Sequence, residues 1–408
     1  MDFSISQDLQ ARLTELREFV DSRVLPLEPK LLAGGFAAVE ADLETVRNEV
    51  RGHGWWAPNH PKEWGGQGWD LLSHALVLEV LGRTPLGLYS FGTQAPDAGN
   101  IELLHMHGTP EHKEQWLGRM VRGEIRSCFA MTEPHTAGSN PVMLETRALR
   151  DGDDYVISGR KWFATGADGA ALCIVMAVTN PDAPPYQRAS MILVPKNAPG
   201  LVHVRNISVM GHAGSGWISH AELEFQEVRV PVSSLLGPEG QGFVLAQHRL
   251  GPGRIHHCMR WLGASGRALD LMKARAQSRV LGPDSVLADK QLVQNHLAES
   301  AIELNAARLA TLHAAWRIGH DGAKAARLEI SLIKVQVAQT LQRIVDRAIQ
   351  VHGALGVTDD TVLSFLYREE RAARIYDGAD EVHLASIAKQ LLKPYSHSES
   401  DVTQPLRK

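Results

Sequence analysis

The thirteen residues Arg371-Ala-Ala-Arg-Ile-Tyr-Asp377-Gly-Ala-Asp-Glu-Val-His383 place a carboxylate in a turn between two helical patterns. Behind it Val382, Leu384, Ile387, Leu391 and Leu392 recur at helical spacing, so Asp377, Gly378 and Ala379 fall at or just before a helix N-terminus. Two chemistries suit an Asp there. It can cap the helix by accepting a backbone N–H, or it can act as a general base. Other runs also carry usable groups. Cys128-Phe-Ala-Met131-Thr132-Glu-Pro-His-Thr-Ala-Gly-Ser139 sets hydroxyls on a Pro-Gly turn, and Gly159-Arg-Lys-Trp-Phe163-Ala-Thr165-Gly166 sets a hydroxyl two residues beyond an aromatic. In a strand pattern such an aromatic ordinarily fills a core. Gly251-Pro-Gly-Arg254 reads as a helix opening with Pro in the first turn, where Arg254 can bind an anion or stand in solvent. Gln350-Val-His-Gly353 reads as a helix ending, with Gly353 supplying a positive φ. Among 19 His, the group His105, His107 and His112 lacks a Cys or carboxylate at structural-site spacing, so no metal is expected.

These runs together resemble the acyl-CoA dehydrogenase family. The Asp377 stretch resembles its C-terminal signature, in which a carboxylate removes the α-proton of the substrate. Most members carry Glu there; Asp is the usual residue of a subgroup worded Asp-Gly-Pro-Asp-Glu-Val-His, found in modules sometimes fused to a kinase-like domain. Ala379 stands where Pro or Thr is usual, and the 408 residues contain no kinase-like pattern. The resemblance implies that Met131 and Thr132 meet the polar edge of a flavin, that Phe163 packs on its ring in place of the usual Trp, and that the Thr165 hydroxyl approaches N5. It implies a substrate-side place for Ser139, Arg254 and Gly378, one extra residue before Ala137 blurring that of Ser139. It further implies that Arg279, in a degraded Arg-x-x-Phe-Gly wording, and Gln350 and Gly353 reach the diphosphate half of FAD held mainly by a neighbouring subunit, hence a homodimer or homotetramer.

The elements that must position these groups follow from periodicity. Helical patterns at Leu9–Val24, Leu43–Val50, Leu71–Leu81 and Asn100–Gly123 make residues 1–125 an N-terminal helical domain, with a Gly/Pro/Trp-rich surface excursion at Pro58–Gly68. Short β-rich runs at Thr146–Leu149, Tyr155–Ser158, Ala171–Thr179, Ala189–Pro195, Leu201–Val209 and His220–Phe225, the first two joined by a hairpin turn, make 126–237 a small β-barrel or sandwich. Four long patterns, Phe243–Ala276, Val286–His320, Ala323–Val351 and Val362–Arg374, and a last helix beyond Asp377 make 238–395 an antiparallel helical bundle, and 396–408 is a polar tail. The fold class is therefore α+β, multi-domain, in the order of the acyl-CoA dehydrogenase fold.

Charged residues are 22% of the chain and the net charge is only −4, so neither nucleic acid nor an anionic membrane is an expected partner. Cys128, Cys173 and Cys258 lie in apolar contexts without pairing spacing, and no export signal or membrane span is seen; a cytoplasmic protein is expected. What the resemblance implies is FAD-dependent oxidation of an acyl-CoA to the 2-enoyl-CoA, with electrons passing to electron-transfer flavoprotein. Burial of Asp377 beside an acyl chain should raise its pKa. A flavin oxidase on the same fold and a non-catalytic binding protein are the competing readings.

Overall fold

A computed structural model describes residues 5–395. The expected polar tail, 396–408, lies outside the described residues.

Helix α1, Gln7–Phe19, starts where the Ser6 hydroxyl accepts from Leu9 N–H at 3.3 Å, and it buries Leu13, Leu16 and Phe19. Helix α2, Glu28–Gly52, begins well before the pattern at Leu43 and breaks at Gly35, whose φ is 69°. Helix α3, Leu71–Leu81, has the expected bounds, and the Asp70 carboxylate accepts from Leu72 and Ser73 N–H at 3.0 Å. It is apolar on all sides because it lies between two cores: Leu76, Val77 and Leu81 face the N-terminal one, Ala75 and Leu78 the C-terminal one. Helix α4 is Asp97–His107. The Pro58–Gly68 segment is a surface excursion only in part: Asn59, Lys62, Glu63, Gly65 and Gly68 are exposed, but its start is anchored inward. Trp56, Ala57, Pro58 and His60 before and within it are buried, Trp56 Nε1 donates to the Val121 carbonyl at 2.8 Å, and Ala57 N–H donates to Phe91 O at 2.9 Å. Its aromatic content draws it inward, and local bonds satisfy its backbone.

The strands are β1 Ser127–Ala130, β2 Arg147–Asp151, β3 Asp154–Thr165, β4 Leu172–Val178, β5 Ala189–Pro195, β6 Leu201–Asn206, β7 His220–Pro231 and β8 Leu235–Leu236. They form one sheet in the order β6-β7-β3-β2-β4-β5-β8, with β1 parallel to β4. The path ends at β6 and β8, which do not pair, so the barrel alternative is not realised among the described residues. Closure is unnecessary because helices cover the second face. All seven residues of β4 are buried; Leu172, Ile174 and Met176 join the helical-domain core, while Cys173, Val175 and Ala177 pack with Ile157, Leu223 and Phe225. The three cysteines are free and buried.

The bundle comprises α5 Gly242–Ser278, α6 Gln291–Asp321, α7 Arg327–His352, α8 Val362–Glu370 and α9 Asp380–Leu392. The helix opening placed at Gly251 is overturned: α5 starts at Gly242 and runs through position 252. Leu245 and Ala246 are buried in the helical-domain core, and their burial holds the extra turns although Pro252 brings no N–H. Arg254 therefore lies mid-helix. No described helix is long and apolar enough to cross a membrane.

Candidate active site

Arg254, His257 and Arg260 recur every third residue on α5 and so share one face. The turn between α8 and α9 meets that face. Asp377 adopts φ 54°, the left-handed region that Asp tolerates better than most residues. Its neighbours hold it there. Lys334 of α7 donates to the carbonyls of Ala373, at 2.7 Å, and Gly378, at 3.1 Å. Arg254 Nε at 3.3 Å and His383 Nε2 at 3.2 Å both meet the Asp377 carbonyl. Gly378, with φ 99°, is required: a Cβ there would stand 2.6 Å from His383 Nε2.

The Asp377 side chain caps nothing. Helix α9 has Ala379 at its N-cap with no side-chain cap bond, and Asp377 Oδ2 instead lies 3.0 Å from His257 Nε2, with 18% of the side chain exposed. Burial pushes the Asp377 carboxyl up, but His257, Arg249 and Arg254 outweigh it and hold it below the usual carboxylate range. This reverses the raised pKa expected from burial alone. Burial in turn pulls His257 down despite Asp377. The imidazole is thus neutral, the 3.0 Å contact is an N–H donated to a carboxylate, and the standing positive charge comes from the guanidinium groups.

The second half of the site lies on the sheet. Between Lys161 and Ala164 the β3–β7 register shifts, and at this bulge Phe163 takes φ 50° and turns its ring outward, 42% exposed. Trp162 N–H donates to Thr132 O at 3.0 Å, and the Thr132 hydroxyl donates to Trp162 O at 2.8 Å, so Met131, Thr132 and Phe163 form one patch. Thr165 Oγ1 lies 2.9 Å from His220 Nδ1. A buried ion pair locks this patch: Lys161 Nζ reaches Glu133 Oε1 and Met131 O at 2.8 Å each, and Glu133 also accepts from Glu145 and Thr146 N–H. Burial pushes the Lys161 ammonium down to about 8 although Glu133 pulls it up. Glu133 resists its own burial, held below its ordinary value chiefly by Lys161, and the pair is ionised at neutral pH.

Two contacts join the halves. The Arg249 guanidinium stacks 4.6 Å over the Phe129 ring of β1, two residues before Met131. Adjacent carboxylates on α8 face opposite ways: Glu369 binds His212 of the β domain at 3.0 Å, and Glu370 binds Arg260 beside the Asp377 cluster. The sheet patch and the Asp377 turn are thus linked through Arg249 and α8.

Three models, described as the N-terminal, middle and C-terminal domains of acyl-CoA dehydrogenase, match residues 6–124, 128–228 and 240–392. The chain belongs to the acyl-CoA dehydrogenase family. A Mycobacterium tuberculosis relative named probable acyl-CoA dehydrogenase FadE2 is 43% identical, over 95% of this chain and 96% of the relative. Acyl-CoA dehydrogenase family member 11 of Rattus norvegicus is 38% identical over 96% of this chain, which spans 51% of that longer protein. A Mycobacterium abscessus structure, solved as a candidate acyl-CoA dehydrogenase, superposes with a TM-score of 0.91 at 35% identity over 97% of this chain and 100% of its own. Membership makes the chain an FAD-dependent oxidoreductase of the acyl-CoA dehydrogenase class.

The structure bears on how an acyl-CoA dehydrogenase of this sequence would hold FAD. An outward aromatic ring flanked by hydroxyls and strand backbone fits a flat, polar-edged ring system, whereas a core role would have buried Phe163. Ser139 is exposed on the loop after Thr132, with Gly138 against the Thr132 side chain. Arg279 follows α5, and Gln350 and Gly353 end α7; all three are exposed, Gly353 with φ 65°. They share one end of the bundle, where Arg275 acts electrostatically on His352. Lys334, which binds the Asp377 turn, precedes Gln350 on α7 by roughly 24 Å of helix. A single chain therefore does not bring this group to Asp377. Sequence reading missed His257, Arg249, Glu133 and Lys161. The last two stand inside the Thr-Glu-Pro and Gly-Arg-Lys-Trp runs, where a buried acid and lysine could have been paired; nothing in a linear reading aims His257 at Asp377.

Proposed function

We propose that the chain oxidises an acyl-CoA thioester to its 2-enoyl-CoA, with Asp377 as the base, and that it belongs to the Asp-base subgroup. The observation that carries this reading is the Asp377 carboxylate, ionised, partly exposed, and bonded to a side chain instead of a helix end. Bound FAD supplies the acceptor for the β-hydrogen, which leaves as hydride. Asp377 takes the α-proton on the oxygen not engaged by His257, and the electron pair of that C–H bond becomes the new C=C bond. A depressed pKa keeps the base ionised but weakens it, so preorganised donors must acidify the α-carbon by polarising the thioester carbonyl. Met131, Thr132, Phe163 and Thr165 would hold the flavin ring. Arg254, Ser139 and Gly378 would border the thioester and its cofactor tail.

Arg279, Gln350 and Gly353 would reach the diphosphate half of a flavin bound by a second copy. Their exposure and their distance from the Asp377 turn support a homodimer or homotetramer. Electron-transfer flavoprotein is the proposed acceptor, and the buried free thiols support a cytoplasmic location. Anaerobic addition of a panel of acyl-CoA thioesters should bleach the flavin and yield a 2-enoyl-CoA. A flavin that no thioester bleaches would contradict the reading.

A further inference from the structure

The base does not stand alone on its turn, and its partner is itself held. His257 Nε2 lies 3.0 Å from Asp377 Oδ2, and Arg260 Nε lies 3.2 Å from His257 Nδ1. A guanidinium only donates, so Nδ1 must be an acceptor and the imidazole proton must sit on Nε2. Arg260 cannot turn away, because its other nitrogens bind Glu370 and the Tyr376 hydroxyl, and Glu370 also accepts from Trp261 Nε1 at 2.8 Å. The ring itself is clamped, stacked on Trp261 at 5.7 Å and edge-on to Tyr376 at 5.2 Å.

Resting on the reading of Asp377 as the base, we propose that His257 is its positioning residue: the Nε2–H, fixed on that nitrogen by Arg260, holds one carboxylate oxygen so that only the other takes the substrate proton. His257 cannot take that proton on. Nε2 already carries hydrogen, and Nδ1 faces a cation. The proton therefore stays on Asp377 until product leaves. The arrangement also stops the carboxylate from rotating into a salt bridge with Arg249 or Arg254, the cations that act on it from α5.

The charged and titratable groups around the carboxylate are Arg249, Arg254, His257, Cys258 and Arg260 from α5, Lys334 from α7, Tyr376 beside it, and His383 and Asp380 from α9. Replacing His257 by Phe removes one donated hydrogen bond and leaves burial and the other groups in place. Loss of a bond to the charged form favours the protonated one, so the acid limb of the pH–rate profile should move up.

The test measures anaerobic flavin reduction by a thioester against pH in the wild-type holoenzyme and in the His257→Phe, His257→Gln and Asp377→Asn variants. In His257→Phe the acid limb should rise by at least about one pH unit, a tenfold change in the ionised fraction below the limb. His257→Gln, which presents an amide N–H at a similar reach, should return the limb toward wild type. A His257→Phe profile lowered equally at every pH would overturn the proposal, because a purely structural role gives that pattern. Should the Phe variant not fold, histidine ¹⁵N resonances of the wild type decide. They should show His257 neutral with hydrogen on Nε2 at neutral pH; an Nδ1–H tautomer or a protonated ring there would overturn it. Wild-type bleaching by Asp377→Asn would sink the base assignment itself, whatever His257 does.

Discussion

At the residue scale the site depends on a backbone that ordinary residues avoid. Asp377 and Gly378 both have positive φ, at 54° and 99°, and such conformations cost about 1–3 kcal/mol for a residue with a Cβ unless the surroundings hold them. Lys334, Arg254 and His383 do so by bonding the carbonyls of the turn. Gly378→Ala should therefore act on the base by shifting its turn, since its Cβ would meet His383 Nε2 at 2.6 Å in a conformation Ala resists. The expected outcome is at least a tenfold slower flavin reduction with flavin content retained, read by anaerobic mixing. Unchanged rates would show that the turn tolerates a shift of the carboxylate. Asp377 was singled out because its stretch resembles the family's C-terminal signature; the residues alone left a cap and a base both open. Its partner was not legible. His257 lies 120 residues earlier, and only the tertiary packing of α5 against the final turn brings the two together.

At the element scale the flavin-side patch depends on a strand bulge and a buried ion pair. The Lys161 side chain is 0% exposed and that of Glu133 is 4% exposed, so removing one charge strands the other away from water. Lys161→Met should cost about 3–5 kcal/mol in denaturant unfolding and weaken flavin retention, because Met131 and Thr132 lose their anchor. A loss below about 1 kcal/mol would show that Glu133 needs only its backbone donors. Strand periodicity located β2 to β5 and the hairpin at Gly152, and helical spacing located α3 to its ends. The open sheet was not legible, since closure depends on what covers a strand's second face. The long pattern from Phe243 matched the start of α5, but Pro252 also suggested a first turn at Gly251, whereas burial of Leu245 and Ala246 carries one helix through it. The bulge at Phe163 likewise leaves no mark in the alternation, which is why a core aromatic and an outward one read alike.

At the scale of the whole molecule, one chain places the two groups proposed to meet ligand far apart. The Asp377 turn packs on α5, while Arg279, Gln350 and Gly353 stand at the other end of α7. If a second copy brings them to one flavin, Arg279→Ala should lose flavin on dialysis while its helical circular dichroism stays close to wild type. Full retention of flavin would remove Arg279 from the site. The central claim is that Asp377 carries the chemistry, and Asp377→Asn in anaerobic rapid mixing with a reactive acyl-CoA tests it most directly. Asn keeps the size of the side chain and cannot take a proton. The account predicts a yellow, folded oligomer whose flavin is reduced at least about 10²-fold more slowly than wild type. Reduction at the wild-type rate would contradict it.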